Sequence, residues 1–317
     1  MRDLIKEPIK TVFLGTGWES VETLKILHKD SRFDIVAVIT TVDKPVGRKQ
    51  ILTQSDVKKY ALENSIPVVH TEKKVEKYTE FINTYKPELA VCKAFGEIVP
   101  KEFLDYPKYK CINIHFSLLP KYRGAVPIQK AILDGEEKTG ISIMLMSEGL
   151  DEGEILAMYE EEILPDDTNQ TLRERLVKKS ASVLIDVLIS WINGDIQTKP
   201  QEGEPSYCWQ KDISKENAKI EWSLYTAEYI ERMIRAFIPW PVAWFNAKNL
   251  NDRKIKIFKA QIVDCREDKE IGELFVKDNQ LLIKTKDRFL RILELQIEGG
   301  KITNEKEFIN GIGRNLT

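Results

Sequence analysis

The sequence predicts a doubly wound α/β domain with a mostly parallel sheet, followed by a smaller antiparallel β-barrel domain. Over the first two-thirds of the chain, short apolar runs alternate with segments of helical periodicity, as in parallel strands joined by crossover helices. A polar stretch with several glycines and prolines follows. Beyond it, apolar runs are too closely spaced for crossover helices. We therefore divide the chain into a domain at residues 1–195, a linker at 196–206 and a second domain at 207–317.

The elements of the first domain follow from its apolar runs, which are short and flanked by helical patterns. Ser55 is a suitable N-cap for the second helix. Strands this apolar are expected to be buried on both faces of a parallel sheet. The predicted order is strand 11–15, helix 20–28, strand 35–39, helix 55–63, strands 88–92, 111–116 and 141–146, and a long closing helix at 168–193.

The second domain begins with a helix at about residues 226–236. Short strands separated by turns then follow, which is typical of a small antiparallel barrel. The predicted strands are residues 242–245, 255–258, 272–276, 281–283 and 289–295.

Composition places the protein among globular proteins, because 42% of its residues are apolar and 31% are charged. No apolar run approaches the ~20 residues of a membrane span, and the first residues do not resemble a signal peptide. Cys92, Cys111, Cys208 and Cys265 are scattered, which favours reduced thiols in a cytoplasm over a zinc site or a disulfide framework. A net charge of −2 argues against a general nucleic-acid binder.

The most informative motif is Asn113-Ile114-His115, which lies in a predicted strand just before a rigid turn at residues 118–124. Alternate side chains of a strand share a face, so Asn113, His115 and Ser117 point to one side. Ligands usually bind where parallel strands end. Acyl transfer needs one group to hold a developing oxyanion and another to take a proton. The motif indicates such a site, although a polar strand face is more often simply solvated.

Two further observations favour a catalytic role for His115. It is one of only three histidines; His28 lies near the end of a predicted helix, and His70 ends a short apolar run. The loop at residues 149–153 follows a predicted strand and supplies a carboxylate beside flexible glycines. We expect Asp151, rather than the glutamate next to it, to be the partner of His115. An ordinary turn remains the alternative for this loop.

A Gly-x-Gly turn follows the first strand, at Gly15-Thr16-Gly17, and suggests a dinucleotide-binding fingerprint. Ser20 supplies a third small residue, and Asp43 supplies a ribose-binding acid. Trp18 and Glu19 are poor neighbours for a pyrophosphate, because one is bulky and the other is negative. A nicotinamide-dependent oxidoreductase is therefore the weaker hypothesis, and a tight turn that lets a ligand approach the backbone is the simpler one.

Together these segments resemble the methionyl-tRNA formyltransferase family, from about Lys10 to nearly the C-terminus. Asn-x-His with Ser-Leu-Leu-Pro and a later Asp is specific to folate-dependent formyltransferases and hydrolases. The block Arg-Ala-Phe-x-Pro-Trp-Pro narrows the resemblance to the tRNA enzymes. The matching blocks are Asn113-Ile114-His115 with residues 117–120, then residues 123–129, 149–153 and 235–241.

The resemblance implies a Rossmann-like first domain and an OB-like second domain. It also implies a reaction: the formyl group of 10-formyltetrahydrofolate would pass to the α-amine of methionine on initiator tRNA, through a tetrahedral species. In this reaction Asn113 would donate to the oxyanion, His115 would take the proton of the amine, and Asp151 would fix the imidazole tautomer and raise its basicity. Neither a metal nor a covalent intermediate is needed.

The resemblance also assigns the binding residues. The basic loop at residues 43–49 would enter the acceptor stem of the tRNA, with Arg48 as its contact. We further expect a cytoplasmic protein that acts as a monomer and binds no membrane. The folate site would be lined by Ser117, Leu118, Leu119 and Pro120.

The chain departs from the family pattern at three places. Residues 15–20 read Gly-Thr-Gly-Trp-Glu-Ser instead of the usual Gly-Thr-Pro-x-Phe-Ala. The small residue that usually follows the catalytic histidine is Phe116 here, and residues 53–56 lack the usual prolines. These departures bear on the shape of the folate pocket and the fit of the basic loop, and they leave the three catalytic positions unchanged.

Three other functions use parts of the same pattern. A folate-dependent enzyme that formylates an amino sugar nucleotide would use the same Asn-His-Asp set, with a different C-terminal surface and no tRNA. A nicotinamide-dependent oxidoreductase would bind its nucleotide at residues 15–17 and would not depend on folate. A non-catalytic RNA-binding module would leave Asn113 and His115 without a purpose.

Overall fold

The computed structural model describes residues 6–47 and 49–316. Its contacts divide the chain into two compact units. The first unit contains the described residues up to Ala125, together with Gly140–Glu161 and Glu174–Tyr207. The second unit contains Val126–Thr139, Glu162–Arg173 and the described residues from Cys208 onward. The predicted division of the chain at residues 195 and 207 stays a prediction about domains.

The strands of the described residues are β1 (Ile9–Gly15), β2 (Phe33–Ile39), β3 (Lys44–Val46), β4 (Ile51–Thr53), β5 (Val68–Val69), β6 (Leu89–Lys93), β7 (Cys111–His115), β8 (Arg123–Gly124), β9 (Lys138–Leu145), β10 (Ile155–Glu162), β11 (Tyr207–Cys208), β12 (Trp244–Ala247), β13 (Arg253–Val263), β14 (Leu274–Lys277), β15 (Gln280–Lys284), β16 (Phe289–Ile297) and β17 (Ile302–Asn304).

The helices are α1 (Trp18–Lys29), α2 (Asp56–Glu63), α3 (Val75–Tyr85), α4 (Lys101–Asp105), α5 (Pro127–Asp134), α6 (Asn169–Ile192), α7 (Ala227–Ala236) and α8 (Glu305–Asn310). Short 3-10 turns cover Gln210–Asp212, Lys248–Leu250 and Ile312–Asn315. Side-chain caps support three helix starts, from Ser55 for α2, Thr226 for α7 and Asn304 for α8.

The first unit is built on a seven-stranded sheet with the order β10-β9-β7-β6-β1-β2-β5. Strands β5, β2, β1, β6 and β7 pair in parallel, which confirms the predicted Rossmann-like fold. Every residue of β6 is buried, as expected for a strand with both faces covered. The exception to the parallel arrangement is β9, which pairs antiparallel with β7.

The second unit contains a six-stranded antiparallel half-barrel with the order β12-β13-β16-β15-β14, in which β17 pairs with β16. This confirms the small antiparallel domain. The prediction did not include β17 and α8 at the end of this domain. Strand β13 is longer than predicted, and its outer half alternates exposed and half-buried residues. A polar strand of this kind lacks the apolar run on which the prediction depended.

The helices within residues 6–47 and 49–316 are all too short or too polar to cross a bilayer.

Candidate active site

The three predicted catalytic side chains meet at one place in the first unit. The amide nitrogen of Asn113 lies 3.4 Å from the Oδ1 of Asp151. The Nδ1 of His115 lies 3.6 Å from the Oδ2 of the same carboxylate. His115 is buried, whereas Asn113 and Asp151 are partly exposed, so solvent reaches part of the cluster. An amide donor, an imidazole and a carboxylate are therefore close enough to act on a single reacting carbon.

The route by which Asp151 reaches this cluster differs from the expectation. We expected its loop to meet His115 because both follow the carboxyl ends of strands. In the structure β9 runs antiparallel to β7, so that Leu145 lies beside Ile112 and Ser142 lies beside His115. The loop after β9 therefore begins at the amino end of β7 and returns to the cluster. Sequence alone does not give the direction of a strand within a sheet.

His115 donates from its Nε2 to the backbone carbonyl of Tyr122 at 2.9 Å. A carbonyl oxygen only accepts hydrogen bonds, so this contact fixes the proton on Nε2 and leaves Nδ1 as the basic atom that faces Asp151. Asp151 was expected to fix the tautomer, but the Tyr122 carbonyl does so.

The protonation of His115 reflects two opposing influences. Burial lowers the pKa of His115 below its usual value of 6.5, and the Asp151 carboxylate acts in the opposite direction without overcoming it. The ring is therefore neutral at pH 7 and able to accept a proton. A proton taken up on Nδ1 would lie next to the carboxylate.

Asp151 is held by backbone and side-chain contacts. The backbone N–H of Gly124 donates to its Oδ2 at 2.8 Å. The side-chain amide of Gln201 donates to the carbonyls of both Asp151 and Gly153, each at 2.8 Å. A side chain at Gly153 would overlap the carbonyl oxygen of Leu145, which explains why this position carries a glycine.

Both residues that contact the His115 ring have left-handed backbone conformations. The φ angle is 59° at Tyr122 and 50° at Asp151. Such conformations are uncommon for residues other than glycine and are concentrated at functional sites, where the surrounding structure holds them. The strain supports a site whose geometry is set before a ligand arrives.

Gln201 and its neighbours are functional residues that the sequence interpretation missed. The Oε1 of Gln201 accepts from the guanidinium of Arg123 at 2.7 and 3.1 Å, and Arg123 also pairs with Glu152 at 3.1 Å. The hydroxyl of Ser206 accepts from the backbone N–H of Tyr122 at 2.8 Å. The segment predicted to be a linker therefore supports the active-site loops. Its polar composition matched a linker, and no periodic signal distinguished it.

The predicted folate residues form the turn after β7. Ser117 is fully buried, and its hydroxyl donates to the carbonyl of Lys121 at 2.6 Å. Leu119 and Pro120 are buried and joined by a cis peptide bond, whereas Leu118 is half-buried. The hydroxyl of Ser142 ties the turn to β9, because it donates to the Ser117 carbonyl at 2.7 Å and accepts from the Leu119 N–H at 3.1 Å. The side chains shape the turn from inside.

The predicted tRNA loop is a hairpin formed by β3 and β4. The predicted contact residue, Arg48, lies outside the described residues. Asp43 at the base of the hairpin accepts from Lys58 of α2 at 2.7 Å. Farther along, Ile51 and Leu52 are 62% and 67% exposed. The base is thus fixed to α2, while apolar side chains next to a basic turn face solvent.

The glycine turn after β1 is packed against neighbouring residues at Gly15, and the N–H of Thr16 is already hydrogen-bonded. Gly15 is packed so closely that a side chain there would overlap Phe13 and Ser20. The hydroxyl of Ser20 accepts from the N–H of Thr16 at 3.3 Å and donates to the carbonyl of Lys93 at 2.6 Å. This turn therefore serves close packing of α1 against the sheet.

In the part of the chain that the structure describes, no group of three or more His, Cys, Asp or Glu side chains is arranged to hold a metal ion.

Comparison with known families gives two matches that together cover most of the chain. The formyl transferase family model matches residues 9–188, and the model of the formyl transferase C-terminal domain matches residues 212–313. Among curated relatives, the methionyl-tRNA formyltransferase of Thermodesulfovibrio yellowstonii is 39% identical over 301 residues, which is 95% of each chain. The methionyl-tRNA formyltransferase of Clostridium acetobutylicum is 39% identical over 307 residues, 96% of each chain.

Solved structures show the same fold. The N-formyltransferase of Helicobacter canadensis, in complex with folinic acid and dTDP-3-aminofucose, superposes with a TM-score of 0.64 at 25% identity, covering 90% of this chain and 98% of its own. HypX of Aquifex aeolicus, in complex with tetrahydrofolic acid, superposes with a TM-score of 0.62 at 15% identity, covering 98% of this chain and 48% of its own. The second similarity shows the fold alone.

Proposed function

The chain belongs to the formyl transferase family, among the methionyl-tRNA formyltransferases, and we propose that Asn113, His115 and Asp151 are its catalytic residues. The enzyme transfers the formyl group of 10-formyltetrahydrofolate to the α-amine of methionyl-tRNA. The observation that carries the residue assignment is the meeting of three side chains at 3.4 and 3.6 Å. Amide, imidazole and carboxylate are the groups that acyl transfer to an amine requires.

The role of each side chain follows from its environment. Negative charge collects on the formyl oxygen as the amine attacks, and the amide of Asn113 is the nearby donor for it, a contribution of about 3 kcal/mol when well aimed. The amine nitrogen becomes positive, and the neutral Nδ1 of His115 takes a proton from it. The carboxylate of Asp151, 3.6 Å away, stabilises the imidazolium that results. When the tetrahedral species collapses, the bond between the formyl carbon and N10 of the folate breaks, and His115 gives its proton to N10, so that tetrahydrofolate leaves.

For folate binding, we propose that the site is lined by Ser117, Leu118, Leu119 and Pro120. Because three of these residues are buried, we assign the contact to the backbone of the turn and the half-buried Leu118. The rigidity that Ser142 gives to the turn supports this assignment. 10-Formyltetrahydrofolate supplies the formyl carbon.

For tRNA binding, we propose that the β3–β4 hairpin enters the acceptor stem and that Arg48 contacts it. The support is the exposure of Ile51 and Leu52 beside the basic residues Lys44 and Lys49, on a hairpin whose base is fixed by an ion pair. Exposed apolar side chains flanked by cations suit a nucleic acid, since the cations offset phosphate charge and the apolar groups contact bases. We assign the initiator tRNA as the physiological acceptor.

We further propose a cytoplasmic monomer. Cys92, Cys111 and Cys208 are buried, Cys265 is half-buried, and the four are not joined in disulfides, which suits a reducing compartment. Size-exclusion chromatography with light scattering tests the oligomeric state.

The test of function is a product assay with two acceptors. Purified protein is incubated with 10-formyltetrahydrofolate and either methionyl-tRNA or an amino sugar nucleotide. The proposal predicts formylmethionyl-tRNA and no formylated sugar. A formylated sugar without formylmethionyl-tRNA would contradict it, and the second candidate would then be supported.

A further inference from the structure

A buried lysine lies behind the active-site strand and contacts both neighbours of His115. Lys93, the last residue of β6, is only 3% exposed. Its Nζ donates to the backbone carbonyl of Ile114 at 3.1 Å and lies 2.8 Å from the centre of the Phe116 ring. The described mechanism does not use this residue.

Two of the departures from the family pattern converge on Lys93. Phe116, which replaces the usual small residue after the catalytic histidine, places its ring against the ammonium. Ser20, which replaces the usual alanine, donates to the Lys93 carbonyl at 2.6 Å. A buried cation requires compensating partners, and a carbonyl oxygen and an aromatic face are both suitable. Phe116 therefore contacts the ammonium of Lys93, whereas Ser20 contacts its backbone.

The charged groups around His115 act on its protonation in opposite directions. The carboxylate of Asp151 favours protonation of the ring, and the positive charge of Lys93 disfavours it. Arg123 is already paired with Glu152. Cys92 lies beside Asn113 in register, and burial raises the pKa of its thiol to about 12, so it contributes no charge at pH 7.

From this geometry we propose that Lys93 is a positioning residue for formyl transfer: its buried charge, held by Phe116 and the Ile114 carbonyl, adds to the effect of burial in keeping His115 neutral and ready to accept a proton. The inference rests on the proposed catalytic role of His115, but the interaction between the two side chains can be measured without activity. Two positive charges in one buried region repel each other, so His115 protonates less readily while Lys93 is charged.

The direct test is the titration of His115 by NMR in the full-length protein labelled at histidine. Only three histidines contribute, and a His115→Gln spectrum assigns the signal. Lys93→Met removes the charge; Lys93→Gln also removes it but keeps a donor for the Ile114 carbonyl; Lys93→Arg keeps it. We expect the titration midpoint of His115 to rise by roughly 0.5 pH unit or more in the first two variants. The Arg variant should titrate like the wild type.

His28 and His70 serve as internal controls, because they bind the Tyr60 hydroxyl and the Thr40 carbonyl, and their signals should be the same in the wild type and the variants. If Lys93→Met does not fold, Lys93→Gln carries the test, with the unchanged signals of His28 and His70 as evidence of a native fold. A His115 midpoint that is the same in the wild type and in the charge-free variants overturns the proposal. A His115 ring that remains neutral down to the same pH in the wild type and in the charge-free variants also overturns it.

A kinetic measurement separates an electrostatic role from a merely structural one. With a rise of about 0.5 pH unit, the acid limb of the kcat/KM profile moves to higher pH, so Lys93→Met loses roughly threefold at acidic pH and little at pH 8. A loss by the same factor at every pH would mean a structural role and would overturn the proposal. Absence of formyl transfer by the wild type would instead refute the proposed function and leave the NMR result intact.

Discussion

At the scale of single residues, the proposed chemistry depends on His115 being buried, neutral and correctly oriented. The Tyr122 carbonyl fixes its tautomer, and burial lowers its pKa despite the Asp151 carboxylate. The residue types and their alternation in β7 were sufficient to predict that Asn113 and His115 lie close together, and both lie close to Asp151 in the structure. The protonation of His115 was not predictable, because its burial arises from residues distant in the sequence and its contact with Tyr122 depends on an unusual backbone conformation.

The lowered pKa of His115 predicts a pH dependence of stability. Above pH 6.5 the ring is neutral in both folded and unfolded chains, so it contributes no pH dependence. As the pH falls below that value, the unfolded chain binds a proton that the folded one does not, and the folded state loses up to ~1.4 kcal/mol per pH unit until its own lowered pKa is reached. Urea unfolding at pH 5 to 8 measures this, with His115→Gln as the reference. If the free energy of unfolding changed with pH equally in the wild type and in the variant below pH 6.5, the prediction would be contradicted.

At the scale of elements, a strand or helix was predicted correctly when its own residues carried the signal. Fully apolar strands such as β1 and β6, and the long helix α6, were predicted from their own residues. The direction of β9 and the role of the segment before β11 were not, because both depend on partners far along the chain. Gln201 illustrates this: its four hydrogen bonds join the loop after β9 to Arg123.

Gln201 gives a prediction at the same scale. Gln201→Leu removes the hydrogen bonds that hold the carbonyls of Asp151 and Gly153, so the carboxylate loses its fixed position. We expect kcat to fall on the order of 10- to 100-fold, because small misplacements of catalytic groups have effects of this size, with little change in either KM. Steady-state kinetics measures both.

The matched control for Gln201 is Gln296→Leu. Gln296 also donates to a backbone carbonyl, that of Gly300 at 2.9 Å, but it belongs to the second unit. It should retain wild-type kinetics. Equal losses in both variants would argue against a special role for Gln201.

At the scale of the whole molecule, sequence reasoning gave the fold class and the family, because apolar periodicity and the motif spacing are spread over the entire chain. It did not predict that the second unit also takes residues from the middle of the chain. Arg235 donates to the carbonyl of Asp167 at 2.9 Å, and Arg232 donates to the carbonyl of Leu133 at 3.0 Å. Helix α7 thus depends on segments that precede the predicted boundary.

Because the second unit includes residues from the middle of the chain, we predict that residues 207–317 alone are not a complete folding unit. The fragment lacks α5, which packs against α7, and the Asn169 amide that donates to the Ile238 carbonyl at 3.2 Å. We expect the isolated fragment to unfold at a markedly lower temperature than the intact chain, or without cooperativity, in circular dichroism. A fragment with a cooperative transition as high as that of the intact protein would show that the predicted boundary is a real domain boundary.

The proposed tRNA hairpin gives a prediction for the assembled enzyme. Arg48→Ala should raise the KM for methionyl-tRNA far more than the KM for 10-formyltetrahydrofolate, because a lost phosphate contact weakens nucleic-acid binding and leaves the folate site unchanged. Lys108→Ala, which removes an exposed positive charge elsewhere on the first unit, is the control. If both substrates show the same change in KM, the hairpin is not a tRNA contact.

The most direct test of the central claim, that His115 accepts the proton of the attacking amine, is the single-turnover rate of formyl transfer by His115→Gln with both substrates saturating. His70→Gln is the matched control, because His70 also binds a backbone carbonyl, that of Thr40 at 2.8 Å. The account predicts a loss on the order of 100- to 10,000-fold for His115→Gln and almost none for His70→Gln. A His115→Gln enzyme that retains a rate within about twofold of the wild type would contradict it.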